Sequence, residues 1–229
     1  MKSFAEQINI NGNTFQYREC GDPLALPIVA LHSLGTSSDS WNEVATRLGE
    51  KFRFIALDQR GHGESSRTNT YSFEEMCEDL LLFVNALKLE RFILIGHSMG
   101  GTVSYLFAQQ YTSRLEKLVI VDTPPPFPDK PIEIPPEPEQ PLPFDWKVVQ
   151  AIMGQLNQPK PEWWENLPKI STPSLVIGGS LSNISQDKLR EVSELIPNCK
   201  MVTIDGAGHH VHRDNLSEFI SIVTAYLNS

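Results

Sequence analysis

Residues 92 to 101 place a serine in the surroundings that a catalytic serine requires. They read Phe-Ile-Leu-Ile-Gly-His-Ser-Met-Gly-Gly, so Ser98 lies between Gly96 and Gly100 in a Gly-x-Ser-x-Gly motif. An apolar strand pattern comes before the motif and a helical pattern follows it. This context predicts a sharp strand-to-helix turn that lifts the hydroxyl above the edge of a sheet, next to a helix N-terminus that favours negative charge. We therefore predict that Ser98 is a nucleophile.

A serine hydroxyl is a weak nucleophile near neutral pH and needs a base within hydrogen-bonding distance. Of the six histidines, His209 follows the last predicted strand in the stretch Gly-Ala-Gly-His and precedes the last predicted helix. That position lies at the carboxyl edge of a parallel sheet, where Ser98 also emerges. We predict that His209 is the base, with His210 and His212 as alternatives. A metal site is not expected, because no carboxylate and histidine motif with zinc spacing accompanies these histidines.

Short apolar runs alternate with helical patterns along the chain. Eight strands are predicted, over residues 8–10, 14–18, 27–32, 52–57, 92–96, 118–121, 174–177 and 201–204. Helices are predicted between them, among them one that begins after Ser72 as its capping residue and one around Trp146. Asn11-Gly12 predicts a hairpin turn between the first two strands. The alternation predicts an α/β fold in which helices flank a mostly parallel, eight-stranded sheet.

The composition changes between residues 124 and 143, where ten of twenty residues are proline. Proline lacks an amide donor and fixes φ, so this segment is predicted to be neither a helix nor a central strand. We interpret it as a stiff, solvated strap within an insertion, residues 123–170. Residues 1–122 and 171–229 are predicted to form the core.

Four motifs carry a family resemblance. They are His32-Ser33-Leu34-Gly35 after the third predicted strand, residues 58–65 (Asp-Gln-Arg-Gly-His-Gly-Glu-Ser) after the fourth, the serine motif after the fifth, and the Gly-Ala-Gly-His stretch after the eighth. Over nearly its whole length the chain resembles a serine hydrolase of the α/β-hydrolase fold family. In residues 58–65 we interpret Asp58 and Arg60 as residues that hold the loop by hydrogen bonds, with no catalytic role.

The resemblance implies an oxyanion hole formed by the backbone amides of Leu34 and Met99. Ser33 replaces the glycine that members commonly carry after the histidine, and the stretch is similar to the Asn-Ser-Leu-Gly form of enol-lactonases. This replacement slightly favours a lactone as the substrate.

The family also implies an acid that orients the histidine. Many members carry an aspartate after the seventh strand, but residues 178–183 here read Gly-Gly-Ser-Leu-Ser-Asn and contain no carboxylate. Asp122 ends the sixth predicted strand, where some esterases carry their acid. We predict that Asp122 is the acid, with Asp187 as a distant substitute and a purely structural aspartate as the alternative.

In this family the segment after the sixth strand usually forms a lid over the nucleophile. Residues 123–170 are too few for a large lid, which favours an open cleft for small or medium substrates. Trp146 and Trp163, together with Trp164, are predicted either to line an acyl pocket or only to anchor the lid on the sheet.

Composition excludes several other classes of protein. The 229 residues carry a formal charge of −9 and no basic run, which disfavours nucleic acids as partners. No apolar run is long enough to span a membrane, and no secretory signal is recognisable, so a cytoplasmic location is expected. A monomer or a homodimer is expected, since the sequence is compatible with both. The three cysteines, Cys20, Cys77 and Cys199, are interpreted as buried thiols.

These observations predict a cofactor-free serine hydrolase that cleaves esters, lactones or thioesters through an acyl-enzyme. A peptidase and a C–C hydrolase stay open, because they use the same residues and differ in pocket shape. A ligand receptor that keeps the triad but turns over slowly is the alternative from another class. Ser98 excludes the branches of the family that need an aspartate nucleophile.

Overall fold

Eight strands form a single sheet in the computed structural model, which describes residues 4–229. The strands are β1 (Phe4–Ile10), β2 (Asn13–Cys20), β3 (Pro27–Leu31), β4 (Arg53–Leu57), β5 (Phe92–His97), β6 (Leu115–Val121), β7 (Ser174–Gly179) and β8 (Cys199–Ile204). Their order is β1-β2-β4-β3-β5-β6-β7-β8. Strand β2 runs antiparallel to β1 and β4, and every other pair is parallel. The predicted fold class is confirmed.

Helices connect and cover the strands. They are α1 (Asn42–Leu48), α2 (Phe73–Ala86), α3 (Met99–Tyr111), α4 (Trp146–Asn157), α5 (Glu162–Glu165), α6 (Gln186–Leu195), α7 (Val211–Asp214) and α8 (Leu216–Leu227), with short 3₁₀ helices at Ser38–Trp41, Thr112–Arg114 and Leu167–Lys169. Helix α2 begins as predicted, because the Ser72 hydroxyl accepts a hydrogen bond from the Glu75 amide at 3.1 Å. The prediction of one helix after His209 was incomplete, since the short α7 precedes α8.

Side chains alternate along the central strands and divide the core between the two faces of the sheet. In β3, Val29 and Leu31 pack in a cluster with side chains of α2 and α3. The intervening Ile28 and Ala30 pack in a second cluster with side chains of α1 and α8. Both faces are therefore covered, which is the usual state of a parallel sheet. The residues that follow β3, β5, β6, β7 and β8 consequently share one sheet edge.

Each strand is predicted to within one residue at one end or the other, and the largest difference at any end is four residues. Strand β1 begins at Phe4 rather than at residue 8, because residues 4–7, which include the polar Glu6 and Gln7, also pair with β2. Such an exposed edge strand depends on backbone pairing, which a pattern of apolar residues does not reveal.

The proline-rich residues 124–143 contain neither helix nor strand, in agreement with the prediction. Their ends are tied to the rest of the protein by hydrogen bonds. The Trp164 indole donates to the Pro126 carbonyl at 3.0 Å, and just beyond the segment the Asp145 amide donates to the Gly61 carbonyl at 2.7 Å. The assignment of residues 123–170 to a separate lid stays a prediction.

Two of the three cysteines are buried as predicted, namely Cys20 and Cys77. The prediction for Cys199 was wrong, since this side chain is only half-buried. The reason is its position at the start of β8, which lies at the edge of the sheet. Within residues 4–229, no helix has both the length and the apolar character that crossing a bilayer requires.

A buried histidine outside the sheet makes stability depend on pH. His212 is 1% exposed and stacks on Trp41 with 4.3 Å between ring centroids. Burial lowers the pKa of His212 from its ordinary value of 6.5 to about 3. The native state therefore keeps this ring neutral at pH values where the unfolded chain binds a proton.

We expect the free energy of unfolding to fall as pH falls from 7 to 4.5, because over this range the unfolded chain binds more protons. His212→Phe removes a group that binds a proton in the unfolded chain but not in the native state. The decrease in the free energy of unfolding between pH 7 and pH 4.5 should therefore be smaller in this variant by about 2 kcal/mol. Urea unfolding at each pH measures it. His210→Asn, at an exposed histidine, is the control and should keep most of the pH dependence. An unchanged loss in His212→Phe would contradict this explanation.

Candidate active site

Ser98 occupies a strained turn between β5 and α3. Its backbone has φ 52° and ψ −118°, which non-glycine residues rarely adopt. A β-carbon added at Gly96 would lie 2.4 Å from the Gly100 oxygen, and one added at Gly100 would lie 2.5 Å from the Leu31 oxygen. Both glycines of the motif are therefore needed so that the turn can pack against itself and against β3.

Backbone hydrogen bonds hold this turn in place. The Ser98 amide donates to the Val121 carbonyl at 3.1 Å, which extends the pairing of β5 with β6. The Ser98 carbonyl accepts from the Gly101 amide at 2.8 Å and from the Thr102 amide at 3.1 Å. The Ser98 side chain caps none of the helix amides, so its hydroxyl stays available.

Asp122 lies on the neighbouring strand end, fully buried and also at positive φ, 53°. Its Oδ1 accepts the Gly179 amide at 3.0 Å. Its Oδ2 accepts the Ser182 hydroxyl at 2.5 Å and lies 2.7 Å from His209 Nδ1. These three hydrogen bonds replace those that the carboxylate would form with water, and so they stabilise its negative charge in the interior.

The bond to Asp122 determines how the His209 ring is protonated. A carboxylate only accepts hydrogen bonds, so Nδ1 carries the proton and Nε2 of the neutral ring has a free lone pair. The loop with His209 can approach because residue 179 is a glycine: a β-carbon there would lie 2.4 Å from the Gly208 oxygen. The imidazole is partly exposed, with 29% of its side-chain surface accessible, whereas its carboxylate partner is enclosed.

His97 connects the nucleophile turn to the histidine loop. Its Nε2 lies 2.8 Å from the His209 carbonyl oxygen and donates a hydrogen bond to it. The centroids of the two rings are 4.8 Å apart. Because His97 directly precedes Ser98, the strand that carries the serine also holds the backbone of His209.

The structure therefore joins Asp122 and His209 directly and places Ser98 on the adjoining strand end. Within residues 4–229, the Ser98 hydroxyl forms no hydrogen bond with the His209 ring. Apo active sites often have such a gap, which closes when the substrate binds. Asp187, the predicted substitute for the acid, pairs with Arg190 instead of His209, and its side chain is 91% exposed.

The amides of Leu34 and Met99 are the two predicted oxyanion donors. The Met99 amide belongs to the first residue of α3, where no helical carbonyl is available to accept it. In the part of the chain that the structure describes, neither amide donates to a protein acceptor. The Gly100 amide donates to the His32 carbonyl at 3.2 Å, which brings the start of α3 to the loop that contains Leu34.

The two tryptophans predicted for a pocket occupy different environments. Trp163 is 3% exposed and packs edge-on against Phe73 with centroids 5.6 Å apart, as the anchoring alternative requires. Trp146 is half-buried, and its ring centroid is 6.4 Å from that of Phe144. Phe144, which the sequence did not single out, lies 5.9 Å from the ring of His62. A pocket role for Trp146 and Trp163 stays a prediction.

Two side chains of the loop at residues 58–65, those of Asp58 and Arg60, form hydrogen bonds with neighbouring elements. Asp58 Oδ1 accepts the Ser38 amide at 2.6 Å. Arg60 Nη2 donates to Asp79 Oδ1 at 2.8 Å. Asp58 and Arg60 therefore form hydrogen bonds that tie this loop to its neighbours, as predicted, and the absence of a catalytic role for them stays a prediction.

Sequence reasoning missed Ser182 and His97 as neighbours of the candidate triad. Ser182 lies in the loop where the resemblance implies an acid, so the missing carboxylate was the available signal. The His97 contact spans 112 positions of sequence, and nothing local indicates it.

Comparisons with known proteins agree with this architecture. The chain is 27% identical to an sn-1-specific diacylglycerol lipase of Danio rerio, over 97% of this chain and 84% of the relative. It is 24% identical to a putative esterase/lipase of Haemophilus influenzae, over 93% of this chain and 88% of the relative.

Among solved structures, the chain matches E-2-(acetamidomethylene)succinate hydrolase with a TM-score of 0.87 at 20% identity, over the full length of both chains. It matches the enol-lactonase from Burkholderia xenovorans with a TM-score of 0.82 at 20% identity, over 98% of this chain and all of that chain. At such identities these likenesses show the fold. A sequence model described as alpha/beta hydrolase fold matches residues 27–159, more than half of the chain. The chain therefore belongs to the alpha/beta hydrolase fold family.

Proposed function

We propose that this protein is a serine hydrolase that cleaves carboxylic esters through an acyl-enzyme on Ser98. The observation that carries the proposal is the 2.7 Å hydrogen bond between Asp122 and His209, formed beside the strained turn of Ser98. The names of the relatives, a lipase and a putative esterase/lipase, support ester hydrolysis as the reaction.

In the first half of the reaction, His209 Nε2 takes the proton from the Ser98 hydroxyl. The Ser98 oxygen attacks the ester carbonyl carbon and forms a bond to it, while the carbonyl π electrons move onto the carbonyl oxygen. The amides of Leu34 and Met99 donate to this oxyanion. A fixed donor of this kind accelerates acyl transfer by roughly 10²- to 10³-fold.

Collapse of the tetrahedral intermediate breaks the bond to the leaving alkoxide, which receives the proton from His209. His209 then takes a proton from a water molecule, whose oxygen attacks the acyl carbon. The bond from that carbon to the Ser98 oxygen breaks, the carboxylic acid leaves, and His209 returns the proton to Ser98. Asp122 stays ionised throughout and stabilises the imidazolium that forms twice in each cycle. The reaction needs no cofactor.

The substrates we propose are small or medium esters, with lactones and thioesters as related possibilities. The segment between β6 and β7 contains only two α-helices, of 12 and 4 residues, which supports a small lid over Ser98. Leu181 is 73% exposed beside Ser182, and Phe144 is half-buried beside His62. These side chains offer apolar surface to an acyl chain.

The nucleophile is tested with short-chain p-nitrophenyl esters under multiple turnover. We expect steady hydrolysis by the wild type and a loss of roughly 10³-fold or more in Ser98→Ala, because no other group supplies the attacking oxygen. The control is Ser193→Ala, at a half-buried serine of α6 whose hydroxyl donates to the Arg190 carbonyl in the same helix, and this variant should keep wild-type rates. Equal rates in Ser98→Ala would contradict the proposal. A single stoichiometric burst without turnover would also contradict it and would favour a slow-turnover receptor.

The acid is tested with Asp122→Asn. We expect kcat to fall roughly 10³- to 10⁴-fold, because an amide at this position favours the wrong tautomer of His209. The far-ultraviolet circular dichroism spectrum should stay unchanged, since asparagine preserves the shape of the side chain. The matched control is Asp187→Asn, at the exposed partner of Arg190, which should hydrolyse at the wild-type rate. A near wild-type kcat in Asp122→Asn would overturn the assignment.

A further inference from the structure

Two buried histidines hold the peptide groups on either side of Leu34. His32 Nδ1 lies 2.8 Å from the Ser33 carbonyl oxygen, in the peptide group that contains the Leu34 amide. The next amide along the chain, that of Gly35, donates to His62 Nε2 at 3.1 Å. His32 and His62 are both fully buried, and their ring centroids are 4.9 Å apart. The proposed reaction uses neither ring.

Hydrogen-bond complementarity settles which nitrogen carries the proton in each ring. The backbone amide of Gln59 donates to His32 Nε2 at 3.0 Å, so Nε2 is the acceptor of this ring. Nδ1 of His32 is therefore the protonated nitrogen and donates to the Ser33 carbonyl oxygen. Gly35 donates to His62 Nε2, so Nδ1 of His62 carries the proton and donates to the Arg60 carbonyl at 3.1 Å. A neutral imidazole has one donor and one acceptor, and both rings use both.

These bonds fix the direction of the Leu34 amide. In a trans peptide the carbonyl and the amide hydrogen point in opposite directions, and no described peptide is cis. The Ser33 oxygen accepts His32 Nδ1–H, the Thr36 amide at 3.2 Å and the Thr36 hydroxyl at 2.9 Å. These three donors hold the Ser33 carbonyl pointing toward His32 and Thr36. The Leu34 amide, in the same trans peptide group, must therefore point away from them. The bond from Gly35 to His62 holds the following peptide group, so Leu34 is fixed at both ends.

We propose that His62 is a positioning residue for the oxyanion loop, acting as the neutral acceptor that holds the Gly35 amide and with it the Leu34 amide. This inference rests on the proposed function. Preorganisation is what makes an oxyanion donor effective, and misplacement by about 1 Å can cost roughly 10²-fold in rate. His62 would thus act on the reaction through Leu34, without touching the substrate.

The surroundings of His62 keep it an acceptor. Burial lowers its pKa to about 3, and burial likewise lowers the pKa of His32 to about 4. The charged or titratable side chains that affect the pKa of His62 are His32 and Arg67, which lower it, and Asp58, which raises it. The centroid of the Phe144 ring lies 5.9 Å from that of His62. A protonated ring would turn its Nε2–H toward the Gly35 amide, donor against donor, and the loop would lose this bond.

The test compares His62→Gln with His62→Leu in the intact protein. The Oε1 atom of glutamine reaches about as far as Nε2 and accepts a hydrogen bond, whereas leucine fills similar space without an acceptor. We expect His62→Leu to lower kcat about 10- to 100-fold with KM within about 3-fold of the wild type. His62→Gln should keep at least about a third of the wild-type kcat. A trifluoromethyl ketone, whose adduct with serine carries an oxyanion, should lose affinity for His62→Leu in proportion to the loss of kcat/KM.

A role in packing alone would lower the melting temperature of both variants without changing kcat, and that result would overturn the inference. Equal losses of kcat in both folded variants would overturn it as well. If His62→Leu does not fold, ¹⁵N NMR of the wild-type histidine rings decides: a protonated Nε2 in His62 overturns the inference, and a protonated Nδ1 with a coupling from the Gly35 amide to Nε2 supports it. If Ser98→Ala abolishes turnover but the His62 variants keep the wild-type kcat, only this inference is overturned. If the wild type shows no turnover, the proposed function is overturned.

Discussion

A carboxylate removed from water must be stabilised by hydrogen-bond donors, and at Asp122 three donors from two parts of the chain converge. Gly179 is the last residue of β7 and Ser182 lies in the loop after it, whereas His209 comes from the loop after β8. None of these bonds forms unless the parallel strands are in register and their carboxyl ends meet. The tautomer of His209, and with it the base that the proposed reaction needs, depends on this convergence.

The same sheet edge stores strain at two neighbouring positions. Ser98 and Asp122 both have positive φ, although neither is a glycine. Such backbone costs on the order of 1–3 kcal/mol at each residue and persists only where the surroundings hold it. Here the surroundings are the close packing at Gly96 and Gly100 and the strand pairing of β5 with β6 and of β6 with β7. Strained residues held in this way are typical of functional sites.

Much of this could be predicted from local sequence. The serine motif, the position of Asp122 at a strand end and the placement of His209 after the last strand follow from patterns within a few residues. The contacts of Ser182, His97 and His62 could not be predicted in this way, because each joins a side chain to a backbone group or a carboxylate far away along the chain. The start of β1 and the exposure of Cys199 were missed for a related reason, since edge positions depend on pairing partners rather than on hydrophobic pattern.

The central claim is that Ser98 is activated by the pair of His209 and Asp122. The most direct measurement is covalent labelling with a fluorophosphonate, followed by mass spectrometry of the peptides. The account predicts one label per chain, located on Ser98, at a rate that falls by orders of magnitude when His209 is replaced by alanine. A label on another residue, or labelling of Ser98 at the same rate without His209, would contradict it.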